Sequence, residues 1–103
     1  MSRETIEAKL DSLEILRSLS FKIICEKLGI FWKEDPDFLP EKNMSTKRVY
    51  LSGRNMIFEM LITDKKWFDT RTKKGGGGAI DFVMYIMKID FVKAVYFLKS
   101  LDT

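Results

Sequence analysis

The chain has 103 residues, 46% of them hydrophobic and 13% aromatic, which fits one small globular domain and excludes a disordered chain. One cysteine, Cys25, and no histidine remove an internal disulfide, the usual zinc sites, and histidine-based acid–base or nucleophilic catalysis. The net charge of +3 is unevenly spread: residues 1–40 carry six Lys or Arg against eight Asp or Glu, residues 41–74 nine against four, and residues 75–103 three of each.

The middle of the chain is therefore a basic block of +5, the footprint of a polyanion-facing surface. No segment approaches the roughly 20 apolar residues needed to cross a bilayer, and no early segment reads as a signal peptide. With a single cysteine fitting a reducing compartment, a cytoplasmic protein with no membrane partner is expected.

Residues 3–19 place Ile6, Leu10, Leu13, Ile15, Leu16 and Leu19 among alternating charges, the pattern of an amphipathic helix. Ser20 can cap a second helix in which Phe21, Ile24, Cys25 and Leu28 face one way and Gly29 closes the end, so residues 1–30 read as a helical hairpin. Cys25, among apolar positions, reads as a small buried hydrophobe rather than a reactive thiol. Residues 31–46 hold both prolines and show no periodicity, which predicts a loop. Phe31, Trp32, Phe38 and Leu39 within it either pin the loop to the domain or bind a partner.

The period then switches to two. Strands are expected at Lys47–Leu51, Met56–Thr63 and Trp67–Thr70, with turns at Ser52–Asn55 and Asp64–Lys66, giving a three-stranded antiparallel sheet over 47–70. Phe58, Met60 and Ile62 lie on one face and Ile57, Glu59 and Leu61 on the other. If Val49, Leu51 and Phe68 join the core face, then Arg48, Tyr50, Trp67 and Asp69 point outward, flanked by Arg54, Lys65, Lys66, Arg71, Lys73 and Lys74. Cations beside aromatic rings are how single-stranded nucleic acid is held, phosphates on the one and bases on the other. The alternative is that Trp67 and Tyr50 are core residues and the lysines only solvate turns.

Residues 71–78 form a basic, glycine-rich segment expected to be a loop. Gly75, Gly76, Gly77 and Gly78 either let a phosphate approach their amides or serve as a plain connection, since neither a GxGxxG nor a P-loop spacing is present. Ala79, Ile80, Val83, Ile86 and Met87 then recur at helical spacing, with Asp81 in the first turn. Asp90 can cap a further helix carrying Phe91, Ala94, Val95, Leu98 and Leu101, so residues 79–103 read as a second helical hairpin.

From Gly75 to Leu98 the sequence resembles the C-terminal half of the Cys-His-Cys-Cys zinc-ribbon domain of bacterial DnaG-type primases and related plasmid and phage primases. Gly77, Gly78, Ala79, Ile80, Asp81, Phe82 and Val83 match one family segment, with glycine for its first aspartate; Asp90, Phe91, Ala94, Val95 and Leu98 match the next. The match covers about a quarter of the chain. Where the family places zinc ligands this chain has neither Cys nor His, with Trp67 to Thr72 in place of the second knuckle, so the resemblance implies a zinc-free ribbon. It also implies an accessory module that contacts single-stranded template beside a separate polymerising domain, as on a plasmid or other mobile element.

These readings give an α+β fold with N-terminal helices, a three-stranded antiparallel sheet and a C-terminal helical hairpin. The expected function is non-enzymatic: a single-stranded DNA-binding accessory protein for priming and replication, partnered by a polymerase, primase or helicase, with no cofactor or metal and no catalytic residue. The alternative is an adaptor subunit of a replication enzyme that docks through Phe31, Trp32, Phe38 and Leu39 without touching DNA.

Overall fold

A computed structural model of the chain describes residues 13–101. The expected first helix is helical at 13–17 (α1), with Leu16 buried and Ile15 exposed, while Ile6 and Leu10 lie outside the described residues. Helix α2, Phe21–Leu28, begins where the Ser20 hydroxyl accepts the Ile23 amide at 3.4 Å and ends at Gly29, whose φ of 75° suits glycine. Its buried stripe is the expected one, Phe21, Ile24, Cys25 and Leu28. Burial first, and then the nearby Glu26 charge, push the Cys25 thiol up to about 12, so it stays protonated and inert.

The sheet has five strands rather than three, in an otherwise α+β fold. They are β1 (Phe31–Glu34), β2 (Thr46–Gly53), β3 (Met56–Thr63), β4 (Lys66–Asp69) and β5 (Lys74–Gly77), hydrogen-bonded in that order as an antiparallel meander. The segment expected to be loop over 31–46 thus supplies an edge strand before its prolines, with Phe31 opposite Ser52 and Glu34 opposite Val49. The glycine run expected to be loop over 71–78 supplies the other edge. Glycine is ordinarily depleted in strands, but here a Cβ on Gly75 would lie 2.9 Å from the Trp67 carbonyl oxygen, and one on Gly76 would strike the Asp81 carboxylate and lie 2.9 Å from the Trp67 ring. Close packing at this edge selects residues without side chains.

The phase of β4 also departs from expectation. Lys66 pairs with Thr63 across a turn formed by Asp64 and Lys65, one residue shorter than the expected turn, and this puts Trp67 opposite Ile62 and Asp69 opposite Met60. Because side chains alternate, that single residue sends Trp67 and Asp69 to the inner face and Phe68 to the outer one. Trp67 is 4% exposed.

On the inner face Val49, Leu51, Met60, Ile62 and Trp67 pack with the helices in one apolar cluster. Helix α3, Ala79–Met87, buries Ala79, Ile80, Phe82, Val83 and Ile86, and the Phe82 ring stacks on Phe21 of α2 at 4.5 Å. Helix α4, Phe91–Ser100, is capped as expected by Asp90, which accepts the Lys93 amide at 2.8 Å. It buries Ala94 and Leu98 but leaves Phe91, expected in its apolar stripe, 42% exposed. Among the described residues no helix is long and apolar enough to cross a membrane.

Candidate nucleic-acid interface

The outer face of the sheet has no helix on it among the described residues. Strand register sets its side chains in cross-strand rows: Phe31, Ser52 and Ile57; then Lys33, Tyr50 and Glu59; then Arg48, Leu61 and Phe68, with Gly75 beyond; then Thr46, Thr63 and Lys66. Tyr50 is 39% exposed, while Leu61 and Phe68 are half-buried.

Charge on this face is arranged around Arg48. Its guanidinium meets the Asp35 carboxylate at 2.6 Å and Glu59 at 3.6 Å, and sits 5.2 Å from the Phe38 ring centroid. The Arg48 hydrogen bond is the first cause that holds the Asp35 carboxyl below the usual carboxylate range, and Asp35 in turn raises Arg48. At the neighbouring edge Lys47 meets Glu34 at 3.1 Å and, chiefly through that bond, lowers the Glu34 carboxyl.

Residues 35–45 cross one end of the face. The Asp35 amide donates to the Arg48 carbonyl at 2.9 Å, and the Asp35 carboxylate accepts the Asp37 amide at 2.9 Å, so the loop leaves β1 in a defined direction. Beneath it lies a groove of about 620 Å³ with Leu61 and Phe68 from the sheet on one side and Phe38, Leu39 and Pro40 from the loop on the other.

The remaining expected cations do not share this face. Arg54 sits in the β2–β3 turn, with φ 51°, and points to the Leu28 carbonyl at 3.4 Å. Arg71, in the turn over 70–73, donates to the Ile57 carbonyl, and Lys73 and Lys74 follow it at the same end of the sheet. Lys65 turns to the opposite end, its ammonium donating to the Ser18 carbonyl at 2.8 Å. Only Arg48, Tyr50 and Lys66 of the expected set share the outer face. Trp67, expected to stack bases, cannot reach it; its ring lies 4.5 Å from that of Tyr85.

The glycine run leaves little room for a phosphate on its amides. Gly77 donates to the Asp81 carboxylate at 3.0 Å and Gly78 to the Lys65 carbonyl at 2.7 Å, so the anion facing this backbone is the chain's own Asp81. Of the residues singled out for a partner, Phe31 and Leu39 are 64% and 83% exposed, Phe38 is held against Arg48, and Trp32 packs partly into the core.

The turn over 70–73, standing where the resemblance has a metal knuckle, is organised by a carboxylate. Asp69, 2% exposed, accepts the Tyr85 hydroxyl at 2.6 Å and the amides of Arg71 and Thr72 at 2.9 and 3.4 Å. Burial raises the Asp69 carboxyl, but these bonds outweigh it and leave it below its ordinary value. Among the described residues no three His, Cys, Asp or Glu side chains are grouped to hold a metal ion.

No family model, curated protein or solved structure matches the chain. Sequence reasoning singled out Phe38 and Leu39 but missed Phe68, Leu61, Lys33 and the other loop residues over the groove, Pro40, Lys42 and Asn43 among them. A two-residue turn at Asp64 and Lys65 was the signal that would have moved Phe68 outward.

Proposed function

We propose that this chain is a non-enzymatic single-stranded DNA-binding protein that assists priming or replication beside a polymerase, primase or helicase. The observation that supports it is the outer sheet face, crossed at one end by residues 35–45, on which Tyr50 and Phe68 lie among Lys33, Arg48 and Lys66. Rings on such a face stack unpaired bases at about 1–3 kcal/mol each, while ammonium and guanidinium groups track the phosphates. The priming context rests on the resemblance from Gly75 to Leu98 alone, including its suggestion of a mobile element. Fluorescence anisotropy with a labelled single strand tests the reading. Binding in the micromolar range should weaken steeply with salt, and Tyr50→Ala should reduce it severalfold; no salt-sensitive binding at the highest attainable protein concentration refutes it.

A second reading, an adaptor that docks on a replication enzyme without touching DNA, draws on the same face. Arg48 is neutralised by Asp35 and Glu59, and Phe31, Ile57 and Leu39 are exposed apolar groups beside it. Capture of a polymerase, primase or helicase that survives nuclease treatment and is lost on Phe31→Ser favours this reading over direct DNA contact.

A further inference from the structure

We propose that the groove between the outer sheet face and residues 35–45 receives one unpaired nucleobase, preferring bases that carry a carbonyl. This deepens the single-strand reading and rests on it. The groove, about 620 Å³, is a slot whose floor is Leu61 and Phe68 and whose far wall is Phe38, Leu39 and Pro40, a shape that accepts a planar ring lying against the sheet. A paired base, stacked on both sides in a duplex, cannot enter it.

The loop is anchored at both ends before any ligand arrives. Phe38 lies against Arg48, which Asp35 holds, and the far end of the loop is closed by the Asn43 carbonyl accepting the Thr46 amide at 3.0 Å.

Its side chains offer several donors. The Asn43 side-chain oxygen is occupied by the Ser45 amide at 2.8 Å and hydroxyl at 2.6 Å, which leaves the Asn43 amide hydrogens to donate. Thr46 and Thr63, whose hydroxyl oxygens lie 2.6 Å apart, share one proton between them and keep the other to offer. Such a set meets the projecting carbonyl oxygens of thymine, uracil or guanine more readily than adenine, whose acceptors are ring nitrogens alone. Lys42 and Lys66 line the same groove and can meet the flanking phosphates, against one acidic lining residue, Glu41.

The test uses the full chain and three labelled strands of about twelve nucleotides, within the usual span of single-strand sites: oligothymidylate, oligoadenylate, and a strand of the same length abasic throughout. Oligothymidylate is expected to bind about tenfold more tightly than the abasic strand and severalfold more tightly than oligoadenylate. Phe68→Ala should remove most of the tenfold advantage while leaving the abasic strand's affinity unchanged. Leu39→Ala, at an exposed site that folding does not need, should lower thymidylate binding in the same selective way. Equal affinity for thymidylate and abasic strands, or equal weakening of both by the two variants, overturns the base pocket while single-strand binding through phosphates survives. Failure to bind any strand overturns both.

Discussion

On the inner face of the sheet Val49, Leu51, Met60 and Trp67 are pressed against the helices, whereas among the described residues Tyr50, Leu61 and Phe68 on the outer face have a loop and no helix over them. The same strands supply both sets. Trp67 and Phe68 are adjacent in β4, and only the alternation of the strand decides that one faces the core and the other the outer face.

The comparison breaks first if large truncations cost the same on both faces. Phe82→Ala, which removes a fully buried ring stacked on Phe21, should lower unfolding free energy by about 3–5 kcal/mol in urea denaturation. Phe68→Ala should cost about 1 kcal/mol or less. Similar losses from both would show that the outer face is also part of the core.

Asp69→Ala should cost about 2–3 kcal/mol, because it takes the acceptor from two turn amides and leaves the Tyr85 hydroxyl with Thr72 alone. The Asp69 carboxyl is held below its ordinary value in the folded protein, so its contribution is full at neutral pH and is lost as pH falls below about 4 toward the folded-state value. Thermal melts between neutral pH and pH 3 should therefore show a smaller acid-induced drop for Asp69→Asn than for the parent. Gly76→Ala ranks next, at about 1–2 kcal/mol, since the new methyl group must displace Asp81 and the Trp67 ring. Pairing it with Asp81→Ala should recover part of that loss, which a double-mutant cycle would measure.

The smallest expected change in stability, and the sharpest separation of the faces, comes from Tyr50→Ala. Its half-open ring should contribute less than about 0.5 kcal/mol to folding. Strand affinity should nevertheless fall severalfold in anisotropy.

Helices α2, α3 and α4 were legible because their signals are local: Ser20 and Asp90 cap, Gly29 closes, and the buried stripes repeat at helical spacing. The pairing of β2 with β3 was legible from alternation. What escaped was set by distant contacts. The β5 strand exists because a glycine backbone fits against Trp67 and Asp81, whereas strand propensity argues against it. Strand β1 is short and mostly exposed, and carries no alternating pattern to read. The phase of β4 depended on one residue of turn length between two apolar neighbours, Trp67 and Phe68, either of which suits a core. The candidate face was half legible for the same reason: Arg48, Tyr50 and Lys66 lie on it as expected, and the ring beside them was assigned to its neighbour.

The Tyr85 hydroxyl reaches from helix α3 to a carboxylate at the end of β4, and that carboxylate also holds the amides of the following turn. These hydrogen bonds tie the sheet to the helix. Deuterium uptake at Arg71 and Thr72 should follow the opening of a helix to which neither belongs, and Tyr85→Phe should quicken exchange at both.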